Sequence, residues 1–115
     1  MNRGDIVRVN LPQPAGPPGR EQFGTRPAIV VQVGGAASAL STVLVVPFTS
    51  RRAALRFAGS FSISPTSTNG LACESVALTH QLRAIDRNRI HGVIGRLTSE
   101  ELGKLESELR SLLGL

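Results

Sequence analysis

The sequence predicts a mainly β protein ending in one α-helix, built as a small, mostly antiparallel, barrel-like sheet. Three observations carry this expectation. Two β-branched blocks, Ile29-Val30-Val31 and Val43-Leu44-Val45-Val46, are each about a strand long. Turn-forming clusters rich in Pro, Gly, Ser and Asn punctuate the chain. A strongly periodic helical segment stands at the end of the chain. At 115 residues, with no internal repeat and no linker, residues 1–115 read as a single domain.

In chain order, Asp5 to Leu11 alternates Ile6, Val7 and Val9 with Arg8 and Asn10 and reads as a strand. Pro12 to Gly19 carries four prolines and two glycines and is a loop, because proline cannot donate to a sheet ladder. Strands are expected from about Arg26 to Val33 and from Thr42 to Phe48, paired as a hairpin across Gly34-Gly35. Arg51 to Arg56 is a basic connection, and Arg56 to Ile63 alternates loosely enough for a weaker strand. Ser64 to Gly70 is a turn, followed by an apolar, β-favouring run from Leu71 to Ile85 centred on Val76, Ala77 and Leu78. Thr98 and Glu101 form a capping box, in which each side chain satisfies a free backbone N–H of the other's residue. Leu102, Leu105, Leu109 and Leu112 then give one apolar stripe, Gly114 closes the helix, and Glu100, Glu101, Glu106 and Glu108 face solvent.

Composition narrows the function. With Trp and Tyr absent and only 4 Phe, the core must be aliphatic. The single Cys73 excludes a disulfide framework and multi-cysteine metal sites, and two His with few carboxylates make a catalytic metal site improbable. No secretory signal is readable at Met1–Asp5, so the cytoplasm is the expected compartment, and Arg3-Gly4-Asp5 reads as the lead into the first strand. Residues 27–50 carry no charge, yet Gln32, Gly34-Gly35, Ser38 and Pro47 split them into two buried strands rather than a membrane helix. Basic residues outnumber acidic ones 13 to 8, and residues 1–99 hold 11 basic against 4 acidic. This suits a polyanionic partner, although the missing Tyr and Trp argue against an aromatic stacking platform.

Two segments are polar where a plain sheet protein is free to vary. One is the glycine-bounded loop Gly19-Arg20-Glu21-Gln22-Phe23-Gly24-Thr25-Arg26-Pro27; the other is the strand end Pro47-Phe48-Thr49-Ser50-Arg51-Arg52. In a hairpin, Arg26 and Thr49 become neighbours beside Arg20, Arg51 and Arg52, giving forked donors, hydroxyls and the Glu21 carboxylate at a candidate phosphate site. The same residues have a plain reading: a Glu21–Arg26 loop salt bridge, Thr49-Ser50 as strand-end caps and Arg51-Arg52 as a solvated turn. Taken alone, the residues favour the plain reading, and His80 and His91 read as surface histidines.

The order of these motifs resembles the MazF/PemK toxins. It runs from Arg3-Gly4-Asp5-Ile6-Val7 through Gly19-x-Glu21-Gln22-x-Gly24-x-Arg26-Pro27 and Thr42-Val43-Leu44-Val45-Val46-Pro47-x-Thr49-Ser50. It continues through Ser75-Val76-Ala77-Leu78-x-x-Gln81-Leu82-Arg83-x-Ile85-Asp86-Arg87-x-Arg89 and Ile94-Gly95-Arg96-Leu97 to Leu112-Leu113-Gly114-Leu115. The resemblance spans nearly the whole chain. It implies an SH3-like β-barrel with a C-terminal helix, working as a homodimeric, metal-independent and cofactor-free endoribonuclease. Such an enzyme cuts single-stranded RNA at selected sequences and is neutralised by a cognate antitoxin. By position, Arg26 and Thr49 match the family's catalytic arginine and threonine, and Glu21 matches a glutamate implicated in some members. Gln81 and Arg83 fall in the segment that helps line the RNA groove, where Arg20, Gln22, Ser50 and Arg51 are further candidates. The loop before Glu21 is proline-rich and long, and Arg20 stands where a small or polar residue is common, so the sequence cut is left open.

The reaction implied is attack of a ribose 2′-OH on the adjacent phosphate. Arg26 holds the phosphate, Thr49 orients one of its oxygens and Glu21 is the candidate base, since an arginine stays protonated. The alternatives are a toxin-fold protein that binds a protein target such as gyrase without cutting RNA, and an inactive member that binds only RNA or antitoxin. The basic surface implies an antitoxin with an acidic segment.

Overall fold

The computed structural model describes residues 1–12, 16, 23–32, 34 and 38–115. Seven strands and one helix follow in order: β1 (Asp5–Leu11), β2 (Gly24–Val30), β3 (Thr42–Thr49), β4 (Phe61–Ile63), β5 (Ser75–Ala77), β6 (Arg83–Asp86), β7 (Ile90–Arg96) and α1 (Ser99–Leu113). All strand pairs are antiparallel, in the order β4-β5-β3-β2-β1-β7, with β6 added to β3.

Period-two alternation builds two aliphatic clusters on opposite faces of the central strands. Ile6, Ile29, Val46 and Phe48 belong to the cluster that Leu71, Leu97 and Leu105 complete. Val7, Val9, Leu11, Ala28, Val30, Val43, Val45 and Ile85 form the other. The charge-free stretch therefore contributes to β2 and β3 of the sheet, and no helix among the described residues is long and apolar enough to cross a membrane.

β3 is the organising strand. β2 lies along one of its edges through Ala28↔Pro47, Ile29↔Val46 and Val30↔Val45. The other edge is served in succession by β6, on Thr42–Val45, and by β5, on Phe48 and Thr49. Pro47, which has no N–H to give, stands where one partner hands over to the next, and its carbonyl accepts from the Leu78 N–H at 2.9 Å.

The sheet curves as expected of the fold class but is not closed by strand pairing, because β4 and β7 do not pair with each other. The Thr66–Gly70 turn occupies this seam. Asn69, buried, accepts from the Thr66 and Leu71 N–H groups and donates to the Ser64 carbonyl. The turn lies so close to β7 that a Cβ on Gly95 would run into the Asn69 backbone, and Arg96 N–H donates to Thr68 O at 3.0 Å.

Boundaries differ from the sequence expectations in three places. β2 begins at Gly24 and ends at Val30, the basic connection carries a 3-10 turn, Arg52–Arg56, and the loosely alternating Arg56–Ile63 segment yields only the three-residue β4. The apolar run after Leu71 is divided among β5, a 3-10 turn and β6, and β7 follows as a separate strand. The helix matches its expectation: the Thr98–Glu101 capping box is complete and Gly114 caps it in the left-handed region. Leu105 is fully buried and Leu102 and Leu109 pack on the core, whereas Leu112 at the last turn is exposed. Arg3 fastens the assembly, donating through Nε to Val31 O and pairing with Glu106 of α1 at 2.8 Å.

Candidate active site

The β2–β3 ladder ends at Ala28↔Pro47, and both strands run on past it. Continuing that register sets Arg26 opposite Thr49. Arg26 bridges the gap: its Nη1 donates to Phe48 O at 3.2 Å, while Nε and Nη2 donate to Phe23 O at 3.1 and 2.9 Å. Two backbone carbonyls thereby fix the plane of the guanidinium. Thr49, 7% exposed, sits opposite Val76 of β5, and its Oγ1 accepts from the Arg51 N–H at 3.3 Å. That bond occupies one lone pair and leaves the hydroxyl hydrogen available.

Arg26, Thr49 and Ser50 line one cleft of about 270 Å³. Thr25, Pro27 and Phe48 complete the strand side, the segment Gly70–Cys73 with Ser75 forms the facing wall, and Arg8 and Ile94 bound it along β1 and β7. Among the described residues, the charged lining is arginine alone. Burial lowers the pKa of Arg26 below its ordinary value, and the neighbouring Arg51 charge lowers it further. Both causes weigh against the cationic form, and a phosphate in the cleft acts in its favour.

The hairpin inferred from sequence thus brings Arg26, Thr49 and Ser50 together, with Arg51 close enough to act on Arg26. Gln81 and Arg83 do not line this cleft. Gln81 ends the 3-10 turn Thr79–Gln81 and Arg83 opens β6 opposite Val45, so both follow the first half of β3. Arg20, Glu21 and Gln22 lie outside the described residues. Nor does any group of three or more His, Cys, Asp or Glu side chains come together among the described residues.

Sequence reasoning missed Arg8 and the wall Gly70–Cys73. Arg8 occupies the polar position of an alternating strand, where a solvated face gives the same signal. The wall reaches the cleft only because the Asn69 turn packs on β7, a long-range contact that local pattern does not encode.

Residues 2–113 match the family model described as PemK-like, MazF-like toxin of type II toxin-antitoxin system. The endoribonuclease MazF9 of Mycobacterium tuberculosis is 36% identical over 121 residues, covering 100% of this chain and 98% of the relative. A crystal structure of MazF from Deinococcus radiodurans superposes with a TM-score of 0.80 at 26% identity, covering 100% of this chain and 97% of the other. A MazE–MazF crystal structure from the same organism aligns with a TM-score of 0.73 at 26% identity, over 100% of this chain and 96% of the other.

Proposed function

Because the chain belongs to the PemK-like, MazF-like toxin family of type II toxin–antitoxin systems, we propose that it is a sequence-selective endoribonuclease that cuts single-stranded RNA. The observation that carries this reading is the Arg26 guanidinium, held by two backbone carbonyls at the mouth of a cleft that it shares with Thr49. A relative with 36% identity across the whole chain bears the name endoribonuclease, which supports the reaction class.

The chemistry follows from RNA's own reactivity. The ribose 2′-oxygen attacks the neighbouring phosphorus, the bond from phosphorus to the 5′-oxygen breaks, and the products are a 2′,3′-cyclic phosphate and a 5′-hydroxyl. Negative charge on the non-bridging oxygens grows along this path. Arg26 is cationic and already oriented, so its stabilisation increases with that charge at no further ordering cost. The free hydroxyl hydrogen of Thr49 is directed to one phosphate oxygen, and Ser50 and Arg51 extend the anion-binding edge. Glu21 is the candidate to take the 2′-OH proton, and Arg20, Gln22, Gln81 and Arg83 are candidate contacts to the flanking RNA. No step is routed through a metal ion or organic cofactor.

The partners follow from the same surface. An antitoxin with an acidic segment competes with RNA for the basic cleft, a pairing in keeping with the MazE–MazF structure of the Deinococcus relative. A second copy of the chain extends the RNA path across a dimer seam, and the complex works in the cytoplasm, where its substrate is made.

The test is cleavage of a long, mixed-sequence single-stranded RNA in excess EDTA, with Arg26→Ala alongside. Discrete fragments from the wild type and none from the variant are expected. Intact RNA from folded wild-type protein across many sequences overturns the reading in favour of a toxin-fold protein that binds a protein target.

A further inference from the structure

Among the described residues, Arg8 is the one cleft-lining cation that the catalytic reading leaves without a task. It is exposed at the middle of β1, with Pro27 of β2 as its register partner on one side and Gly92 of β7 on the other. Arg26 faces Val9 on the same pair of strands, so the two arginines stand one position out of register on neighbouring strands. Alternation then sends Arg8 to the Ile6 face of the sheet, opposite to the face of Val9 and Arg26. Both nonetheless line the same cleft, which lies where β2 leaves the β3 ladder. Among the described residues the Arg8 guanidinium has neither a hydrogen bond nor an ion pair, and Gly92 beside it offers no side chain to cover it.

We propose that Arg8 binds the phosphodiester next to the scissile one, so that the cleft grips two successive phosphates of the strand. The inference rests on the proposed nuclease function and deepens it. A cleft of about 270 Å³ exceeds what one phosphate group fills, and a single strand entering it brings further charges at each nucleotide. A guanidinium on the opposite face from Arg26 meets the chain on the far side of the scissile group.

A phosphate fits the surroundings of Arg8 better than a base does. Base readout needs the guanidinium plane held by neighbouring groups, as Phe23 O and Phe48 O hold that of Arg26. Among the described residues Arg8 has no such holders, which suits a point-charge contact to a phosphate that any plane can make. The contact therefore strengthens binding and sets how far the strand advances without adding sequence preference.

The experiment measures binding of an RNA whose scissile nucleotide is 2′-deoxy, across a range of salt, for wild type, Arg8→Ala and Arg8→Lys. Loss of one phosphate contact weakens binding about 5-fold and lowers the slope of log K against log salt by ~0.7, and lysine recovers most of both. In a scan replacing one phosphodiester at a time by an uncharged methylphosphonate, one linkage adjacent to the scissile position weakens the wild type and leaves Arg8→Ala unaffected. An unchanged salt slope in Arg8→Ala, or identical scans for the two proteins, overturns the proposal. A changed cut sequence with unchanged slope would assign Arg8 to base readout instead. The wild type on cleavable RNA separates the two readings: binding without cutting overturns the nuclease function, while cutting with no Arg8-dependent linkage overturns only this inference.

Discussion

The Nη1 of Arg26 lies 3.2 Å from the carbonyl oxygen of Phe48, the residue that immediately precedes Thr49. One hydrogen bond therefore ties the Arg26 guanidinium to the strand that carries the Thr49 hydroxyl, at the place where the β2–β3 ladder has ended. With Nε and Nη2 both on Phe23 O, the guanidinium is a fork whose orientation depends on its planarity. Arg26→Lys keeps the charge and loses the fork. We expect Arg26→Lys to bind RNA within a few-fold of wild type yet to cleave on the order of 10²-fold more slowly, read from single-turnover rates beside equilibrium binding. Near-wild-type cleavage by the lysine variant would show that charge alone suffices.

Thr49 makes a separable contribution. Its Oγ1 accepts from the Arg51 N–H, so removing the hydroxyl both orphans that amide and deletes the proposed donor to substrate. Thr49→Val preserves shape in this buried position. We expect a stability loss of about 1 kcal/mol and a cleavage loss of 10-fold or more, while Thr49→Ser retains most of both. Equal activity of the valine and serine variants would remove the hydroxyl from the mechanism.

The legibility of the site in the sequence divides along contact range. The Arg26–Thr49 juxtaposition was readable because two apolar blocks flank the Gly34-Gly35 pair in the sequence, and a hairpin sets the start of one strand beside the end of the next. The helix was readable because Thr98, Glu101, the leucines and Gly114 all point to the same element. The barrel-like curvature was inferable, but not how its seam is filled: Asn69 and Gly95 are far apart in sequence, and nothing local says that one packs on the other. β6 and β7 were obscured because their apolar residues are sparse, with Val93 exposed and Gly92 and Gly95 interrupting the alternation. Glu21 matched the family motif by position and lies outside the described residues.

Burial and the Arg51 charge both lower the pKa of Arg26, so an anion in the cleft relieves a cost present in the free protein. A base whose folded-state pKa falls below its unfolded value destabilises the fold at every pH below the folded pKa, and relief comes only as pH rises through it. Arginine stays charged around neutrality, which lies on that plateau. Sulfate at about ten times its dissociation constant should then raise Tm by ~6 °C more in wild type than in Arg26→Ala, equally at about pH 6 and pH 8. The comparison with the variant subtracts the general stabilisation by excluded salts. An effect that titrates between those pH values would point to a histidine instead.

The seam gives a stability prediction with a functional consequence. A Cβ on Gly95 collides with the backbone of Thr68 and Asn69, neither of which can rotate away. Gly95→Ala should cost about 1–3 kcal/mol, measured by denaturant unfolding, and Asn69→Ala should cost a similar amount by leaving three backbone partners unpaired. Because the displaced turn runs directly into Gly70–Cys73, both variants should also lose cleavage at temperatures where they remain folded. Folded variants with full activity would uncouple the seam from the cleft.

Cys73 is an exposed free thiol on that same wall, lining the cleft that Arg26 and Thr49 also line. Its position makes it a reporter of what fills the cleft. RNA with a 2′-deoxy scissile nucleotide should slow alkylation of Cys73 by N-ethylmaleimide, read by intact mass, by about 5-fold or more at saturation, in step with the exclusion of reagent from an occupied cleft. Arg26→Ala should lose the protection at the same RNA concentration, whereas Cys73→Ser should cleave as wild type does, since the thiol has no part in the chemistry. Protection that persists in Arg26→Ala would mean that RNA approaches Cys73 by a path that does not pass the guanidinium, and the cleft would then have to be redrawn around its Gly70–Cys73 wall.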